Sequence, residues 1–258
     1  MAHDILRNFA IGGTDSVNRL GFGAMRLTGQ PGNFGPYADW DSGKALLQHA
    51  ANLGVDFFDS AHAYGPETAD RILGEALDGR KPFLATKGGV GKTTPDRIIV
   101  DGSRDTLLRQ IDSALANLRR AQIDLFQLHR VDPEIPIERS VAAISEAQAD
   151  GRVRHIGLSN VTREQLDRAL AIAPIASVQN RFNMSEMGDD ALVDYTAERG
   201  IAFIPYGPLG ANPMQRGAKL EARTALAWLL KRSPNIIVIP GTTSVAHLKE
   251  NMTIWDLV

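Results

Sequence analysis

The feature that most constrains this chain is an alternation. Short apolar runs rich in Val, Ile, Phe and Leu take turns with longer amphipathic stretches from residue 20 to residue 240. The runs are Leu20–Met25, Val55–Ser60, Phe83–Lys87, Ile123–His129, Val153–Asn160, Ser177–Phe182, Ile201–Tyr206 and Ile236–Pro240. Each suits a strand buried on both faces, the strand type of parallel sheets. Between them, apolar residues recur at helical spacing. Ser103–Arg120 shows this best, with Leu107, Leu108, Ile111, Ala114, Leu115 and Leu118 on one stripe. Asp41–Leu53 (Asp41 as its N-cap), Glu67–Leu77, Ile137–Ala149, Thr162–Ile172, Asp190–Arg199 and Ala222–Lys231 complete the helices. Thr162 and Gln165 resemble a capping box. Ahead of the first run, Phe9–Ile11 and Val17–Leu20 flank Gly12-Gly13 and predict a hairpin.

Repeated strand–helix alternation means parallel βαβ units. Eight strands in 258 residues suit a closed barrel or a doubly wound open sheet. A barrel places its site on the loops after every strand, an open sheet at one switch point. Here Asp59, Lys87, His129, Asn160, Gln179, Tyr206 and Gly241 fall at or just after seven successive runs. That pattern favours an α/β fold of the (β/α)₈ TIM-barrel type. It would be one domain over residues 1–258, with the hairpin closing the bottom.

Composition removes several functions. A net charge of −2 gives no basic footprint for nucleic acid. Cysteine is absent, which excludes thiolate nucleophiles and Cys-ligated metals, and six scattered histidines predict no metal site. No apolar run approaches the roughly 20 residues of a membrane span. The first residues lack a signal-peptide pattern, so a cytoplasmic protein is expected.

One string points elsewhere. Lys87-Gly88-Gly89-Val90-Gly91-Lys92-Thr93-Thr94 resembles the phosphate-binding loop of Walker-type partitioning ATPases. Such a loop follows the first strand and opens a long helix. This one comes after two βα units, and Ile98–Gly102 has no helical period. The pair Gly21 and Gly23 lacks the third glycine of a dinucleotide fingerprint, since position 26 is Arg26.

Asp59, Tyr64, Lys87 and His129 all fall at strand ends or in the loops behind them, which a barrel gathers at one mouth. A tyrosine phenol, with a pKa of about 10, exchanges protons poorly near neutrality unless its anion is stabilised. A buried ammonium does that, and a carboxylate beyond it keeps the ammonium charged and placed. Asp59, Lys87 and Tyr64 supply those parts, and a neutral His129 can donate to a carbonyl oxygen.

The wording around these residues resembles the aldo-keto reductases. The matching stretches are Leu20–Leu27, Asp59–Gly65, Ala85–Gly89, Asp124–Arg130, Ile156–Asn160, Val178–Asn180, Pro205–Gly210, Ile239–Thr243 and His247–Asn251. Gly23–Thr28 and Val178–Phe182 look like bacterial members near the pyridoxal reductases. The resemblance implies a barrel enzyme that binds NADPH in extended form, uses no metal, acts on a small-molecule carbonyl and works as a monomer. Tyr64 would be general acid in carbonyl reduction, with Lys87 and Asp59 tuning it and His129 orienting the carbonyl. Ser159, Asn160 and Gln179 would hold the carboxamide, and Tyr206 would stack on the nicotinamide. Pro208, Leu209 and Gly210 would line the pyrophosphate path. Gly241, Thr242, Thr243, His247, Glu250 and Asn251 would surround the adenosine and its 2′-phosphate, with Gly23 and Met25 completing the contacts. Some relatives keep the cofactor without catalysis, but here all four catalytic positions are filled.

Two departures from the family pattern stand out. Relatives commonly carry Lys or Arg near Gly241 and His247; here only His247 can take a charge, which leaves NADH as an alternative cofactor. Residues 210–225 and the stretch after Asn251 are also short. Either the cleft is open there or further chain covers it. Met25, Arg26, Phe34, Trp40, Arg130 and Phe182 are candidates for the substrate wall.

Overall fold

The computed structural model describes residues 7–208 and 221–258. In chain order its strands are β1 (Asn8–Ile11), β2 (Asp15–Asn18), β3 (Phe22–Gly23), β4 (Phe57–Asp59), β5 (Phe83–Gly88), β6 (Val90–Thr94), β7 (Arg97–Val100), β8 (Ile123–Leu128), β9 (Val153–Ser159), β10 (Ile175–Gln179) and β11 (Ala202–Phe203). Seven of them form one curled parallel sheet in the order β11-β10-β9-β8-β5-β4-β3. The last apolar run closes the ring. Ile236 bridges Phe203, Val238 bridges Leu20, and the Gly21 amide donates to the Val238 carbonyl at 2.8 Å. Pro240 lacks an N–H to continue a ladder, which helps keep this eighth staff of the barrel short.

The pleat divides the apolar residues between two cores. One fills the barrel: Phe57, Phe83, Ala85, Leu125, Ala176, Ala202, Ile204 and Ile237 pack with Ile11 and Val17 of the β1–β2 hairpin. The hairpin therefore plugs the bottom, as expected from the two runs that flank Gly12-Gly13. The larger core lies between the outer faces of the strands and the ring of helices.

Helix signals act close to where the sequence places them. The helix Ile137–Ala149 has the predicted ends, and Thr162 with Gln165 forms the full capping box ahead of Arg163–Leu170. The helix Trp40–Asn52 begins earlier than expected, because Asp39 and not Asp41 accepts the Ser42 amide. The last helix starts at Val245 behind a Ser244 cap. Strand β10 ends at Gln179 and not at Phe182: the Asn180 side chain turns the chain there, bonding Val161 in both directions and Asp189. The largest surprise is Val90–Thr94. It pairs antiparallel with Arg97–Val100, Gly91 opposite Ile99 and Lys92 opposite Ile98, so the glycine-rich string is one arm of a hairpin beside the barrel mouth. Among the described residues, no helix is long and apolar enough to cross a membrane.

Candidate active site

The strand ends that carry Asp59 and Lys87 are locked in register by β4 and β5, and Lys87 stands beside Gln127 of β8. Gly157 on β9 makes room for Gln127, since a Cβ there would lie 2.8 Å from its Cγ. These side chains converge on one carboxylate. Lys87 Nζ donates to Asp59 Oδ2 at 2.6 Å and to the Ser60 carbonyl at 2.6 Å. Gln179 Nε2 donates to Asp59 Oδ1 at 2.9 Å, and Gln127 Nε2 reaches the same oxygen at 3.4 Å. Lys87 is 0% exposed. The loop after β4 is tied back to β5 by the His62 amide on the Lys87 carbonyl, and this carries Tyr64 over the pair. Lys87 Nζ lies 5.3 Å from the centroid of the Tyr64 ring, and His129 stands edge-on to that ring at 5.9 Å and 87°.

Electrostatics assigns protonation states. Burial, reinforced by the Asp59 charge, pushes the Tyr64 phenol well above the ordinary tyrosine range, so it holds its proton. This corrects the expectation that the neighbouring ammonium lowers it. Asp59 compensates Lys87 at contact distance, leaving desolvation to dominate. Burial also pulls Lys87 down, against the upward pull of Asp59 and Asp70. His129 is held well below its usual range by burial first, then by Lys87, Arg130, Lys92 and His62, so it is neutral. Its buried Nδ1 has no hydrogen-bond partner among the described residues.

A cleft of about 630 Å³ opens above these groups. Asp59, Tyr64, His129, Gly23, Met25, Ser159, Asn160, Gln179, Tyr206 and Pro208 line its inner part, with Lys87 beneath the surface. Asn160 sits in left-handed backbone (φ 57°), accepts the Tyr206 hydroxyl at 2.7 Å and donates to the His129 carbonyl at 3.0 Å. Gly241, Thr242, His247, Glu250 and Asn251 line the outer part, whereas Thr243 is exposed and does not line it. Leu209 and Gly210 lie outside the described residues. At the closing seam Gly23 and Gly241 are glycine for steric reasons: a Cβ on either would meet a backbone oxygen at 2.7 Å. Of the substrate-wall candidates, Met25, Arg26 and Arg130 line the cleft. Phe182 is fully buried and stacked on Trp228, Trp40 packs with Arg71 and donates to Glu75, and Phe34 does not line the cleft.

Sequence reasoning missed three of the supporting groups. Besides Gln127 these are Thr86 and Asp70. Asp70, on the helix Thr68–Ala76, is 1% exposed and accepts the Thr86 hydroxyl at 2.9 and 3.1 Å from outside the barrel wall. Burial pushes its carboxyl up to about 6, opposed by Thr86 and the Lys87 charge.

The sequence profile of the Aldo/keto reductase family matches residues 19–224. The chain belongs to the aldo-keto reductase family. It is an NAD(P)H-dependent oxidoreductase. Pyridoxine 4-dehydrogenase of Escherichia coli is 42% identical to this aldo-keto reductase over 261 residues, which span 93% of this chain and 90% of that one. Two solved structures share the barrel at lower identity. The glycerol dehydrogenase of Gluconobacter oxydans superposes with a TM-score of 0.85 at 22% identity, covering 96% of this chain and 90% of that one. An aldo-keto reductase from Klebsiella pneumoniae in complex with NADPH gives 0.81 at 21%, covering 98% and 90%.

Proposed function

We propose that this enzyme reduces an aldehyde or ketone to an alcohol with NADPH, Tyr64 giving its proton to the carbonyl oxygen. The observation that carries the reading is the stack of groups at the inner end of the cleft. A buried Asp59–Lys87 pair lies under a protonated Tyr64, and a neutral His129 stands edge-on beside it.

The residues fit the cofactor. The cleft runs from the catalytic end to the helix Val245–Met252, and Gln179 gives its amide N–H to Asp59, which leaves Oε1 to accept from a carboxamide. Ser159, Asn160 and Gln179 would hold that amide, and Asn160 holds Tyr206 in place for stacking. Gly241, Thr242, His247, Glu250 and Asn251 would border the adenosine, with Gly23, Met25 and Pro208 along the path. Bound NADPH supplies a hydride to the carbonyl carbon. Tyr64 is a neutral acid at rest. As negative charge develops on the substrate oxygen, the phenol proton moves to it, and Lys87 stabilises the phenolate left behind. Asp59 keeps Lys87 charged despite its burial, and neutral His129 orients the carbonyl by a hydrogen bond.

Pyridoxal is the first substrate to try, since the Escherichia coli relative is a pyridoxine 4-dehydrogenase. The working form is taken to be a cytoplasmic monomer. With Gly241 and His247 at the 2′-phosphate end, NADPH is preferred over NADH only modestly; equal kcat/KM for the two cofactors removes that preference. The deciding assay is NADPH oxidation with pyridoxal and with an aromatic aldehyde, wild type against Tyr64→Phe. Loss of the acid costs about 10²–10⁴-fold. Equal turnover by the two proteins contradicts the assignment.

A further inference from the structure

The glycine-rich string contains a lysine that the reaction above does not use. Lys92 lies on strand β6 of the hairpin, lines the cleft, and is partly shielded from solvent. Its ammonium is anchored by the Gly32 carbonyl, and no carboxylate among the described residues lies within ion-pair distance. Arg130, directly after His129, lines the same cleft and has no ion-pair partner among the described residues. Both cations lie near enough to His129 to disfavour its protonation. By contrast, Arg181, a neighbouring guanidinium, is neutralised by Glu186 at 2.6 Å. Arg26 belongs to the other wall, where its Cγ lies 3.6 Å from the Cβ position of Gly241. The one carboxylate on the hairpin that lines the cleft, Asp96, is exposed at the turn and accepts the Thr94 hydroxyl at 2.8 Å.

A cation held by a neutral carbonyl, at the wall of a cleft that thins the surrounding water, attracts anions more strongly than one in open solvent. Lys92 is such a cation, and with the more exposed Arg130 it lies beside the group that would orient the carbonyl. We propose that the preferred substrates are carbonyl compounds bearing an anionic group, a carboxylate or a phosphate, which Lys92 and Arg130 hold while the carbonyl sits at Tyr64 and His129. This rests on the carbonyl-reductase reading and adds a substrate class to it. Lys92 and Arg130 act here as specificity residues and take no part in proton transfer.

The test is a ratio, which cancels general damage to the enzyme. For each protein, kcat/KM is measured at low ionic strength for 4-carboxybenzaldehyde and for its neutral methyl ester. Wild type should favour the carboxylate by about 10-fold, the scale expected of two partly exposed charge contacts. The ratio should fall towards one in the Lys92→Gln/Arg130→Gln double variant. In wild type it should also shrink in 0.5 M NaCl, about the salt that screens exposed charges beyond a few ångströms, a check that needs no variant. Pyridoxal 5′-phosphate against pyridoxal tells a phosphate preference from a carboxylate one. A wild-type preference for the ester, or a ratio untouched by both salt and the double substitution, overturns the inference and leaves the carbonyl-reductase reading standing. No turnover of any of these aldehydes overturns both.

Discussion

The two ends of the cleft are built on different principles. At the inner end, Asp59 receives three side-chain donors and Lys87 is fully buried with both of its acceptors in place. Asp59, Lys87, Gln127 and Gln179 are all carried by strands whose register the sheet fixes. At the outer end, Gly241, His247 and Glu250 are exposed, and the bonds are local, such as the Ser244 amide on Thr242 Oγ1 at 3.0 Å. One end is preorganised for charge that develops only during reaction; the other is a surface that a ligand completes. Substitutions inside should therefore cost kcat and stability, and those outside should cost cofactor affinity.

The largest expected effect comes from Lys87→Met. It strands the Asp59 carboxylate in the barrel, so unfolding free energy should drop by about 3–5 kcal/mol, and kcat should fall at least 100-fold. Urea denaturation beside steady-state kinetics checks both. A stable, active variant would show that the pair is not what holds the inner end together.

Asp70 gives the next effect, and its sign is opposite to that of a paired carboxylate. Its folded pKa is raised to about 6, so ionising it costs folding free energy. The folded protein binds more protons than the unfolded chain between about pH 4 and pH 6. Stability should fall across that window, by on the order of 3 kcal/mol, and then level off. Asp70→Asn keeps an acceptor for Thr86 and should lack this step in urea titrations at pH 4, 5, 6 and 7. A step that survives the substitution assigns the proton to another group.

At the outer end, Glu250→Ala and Asn251→Ala should raise KM for NADPH by about 3–10-fold and leave kcat within about twofold, the mark of binding felt equally by ground and transition states. A loss in kcat with KM unchanged would blur the division between the two ends.

The same division explains what could be read without a structure. Asp59, Lys87 and His129 close apolar runs, and a parallel barrel leaves no other place for such residues than its mouth. The helices were legible from period and caps, as Ile137–Ala149 and the Thr162 box show. The hairpin Val90–Val100 was not, because its glycines imitate a phosphate loop; the signal passed over was the turn residues Pro95-Asp96 between two short β-branched segments. Asp70 was hidden by its helix. Its one visible mark is that it shares the inward stripe with Leu73 and Leu77, where a carboxylate has no reason to be unless something behind the wall accepts it. The phenol's upward shift lay beyond sequence altogether, since it depends on how completely Asp59 compensates Lys87.

The most direct test of the account measures two quantities on one preparation of Tyr64→Phe: the NADPH dissociation constant, from cofactor fluorescence, and kcat for aldehyde reduction. The dissociation constant should stay within about twofold of wild type, and kcat should fall by at least 100-fold. Retained turnover would contradict Tyr64 as the proton donor, and a parallel collapse of binding would contradict the separation of a catalytic end from a binding end.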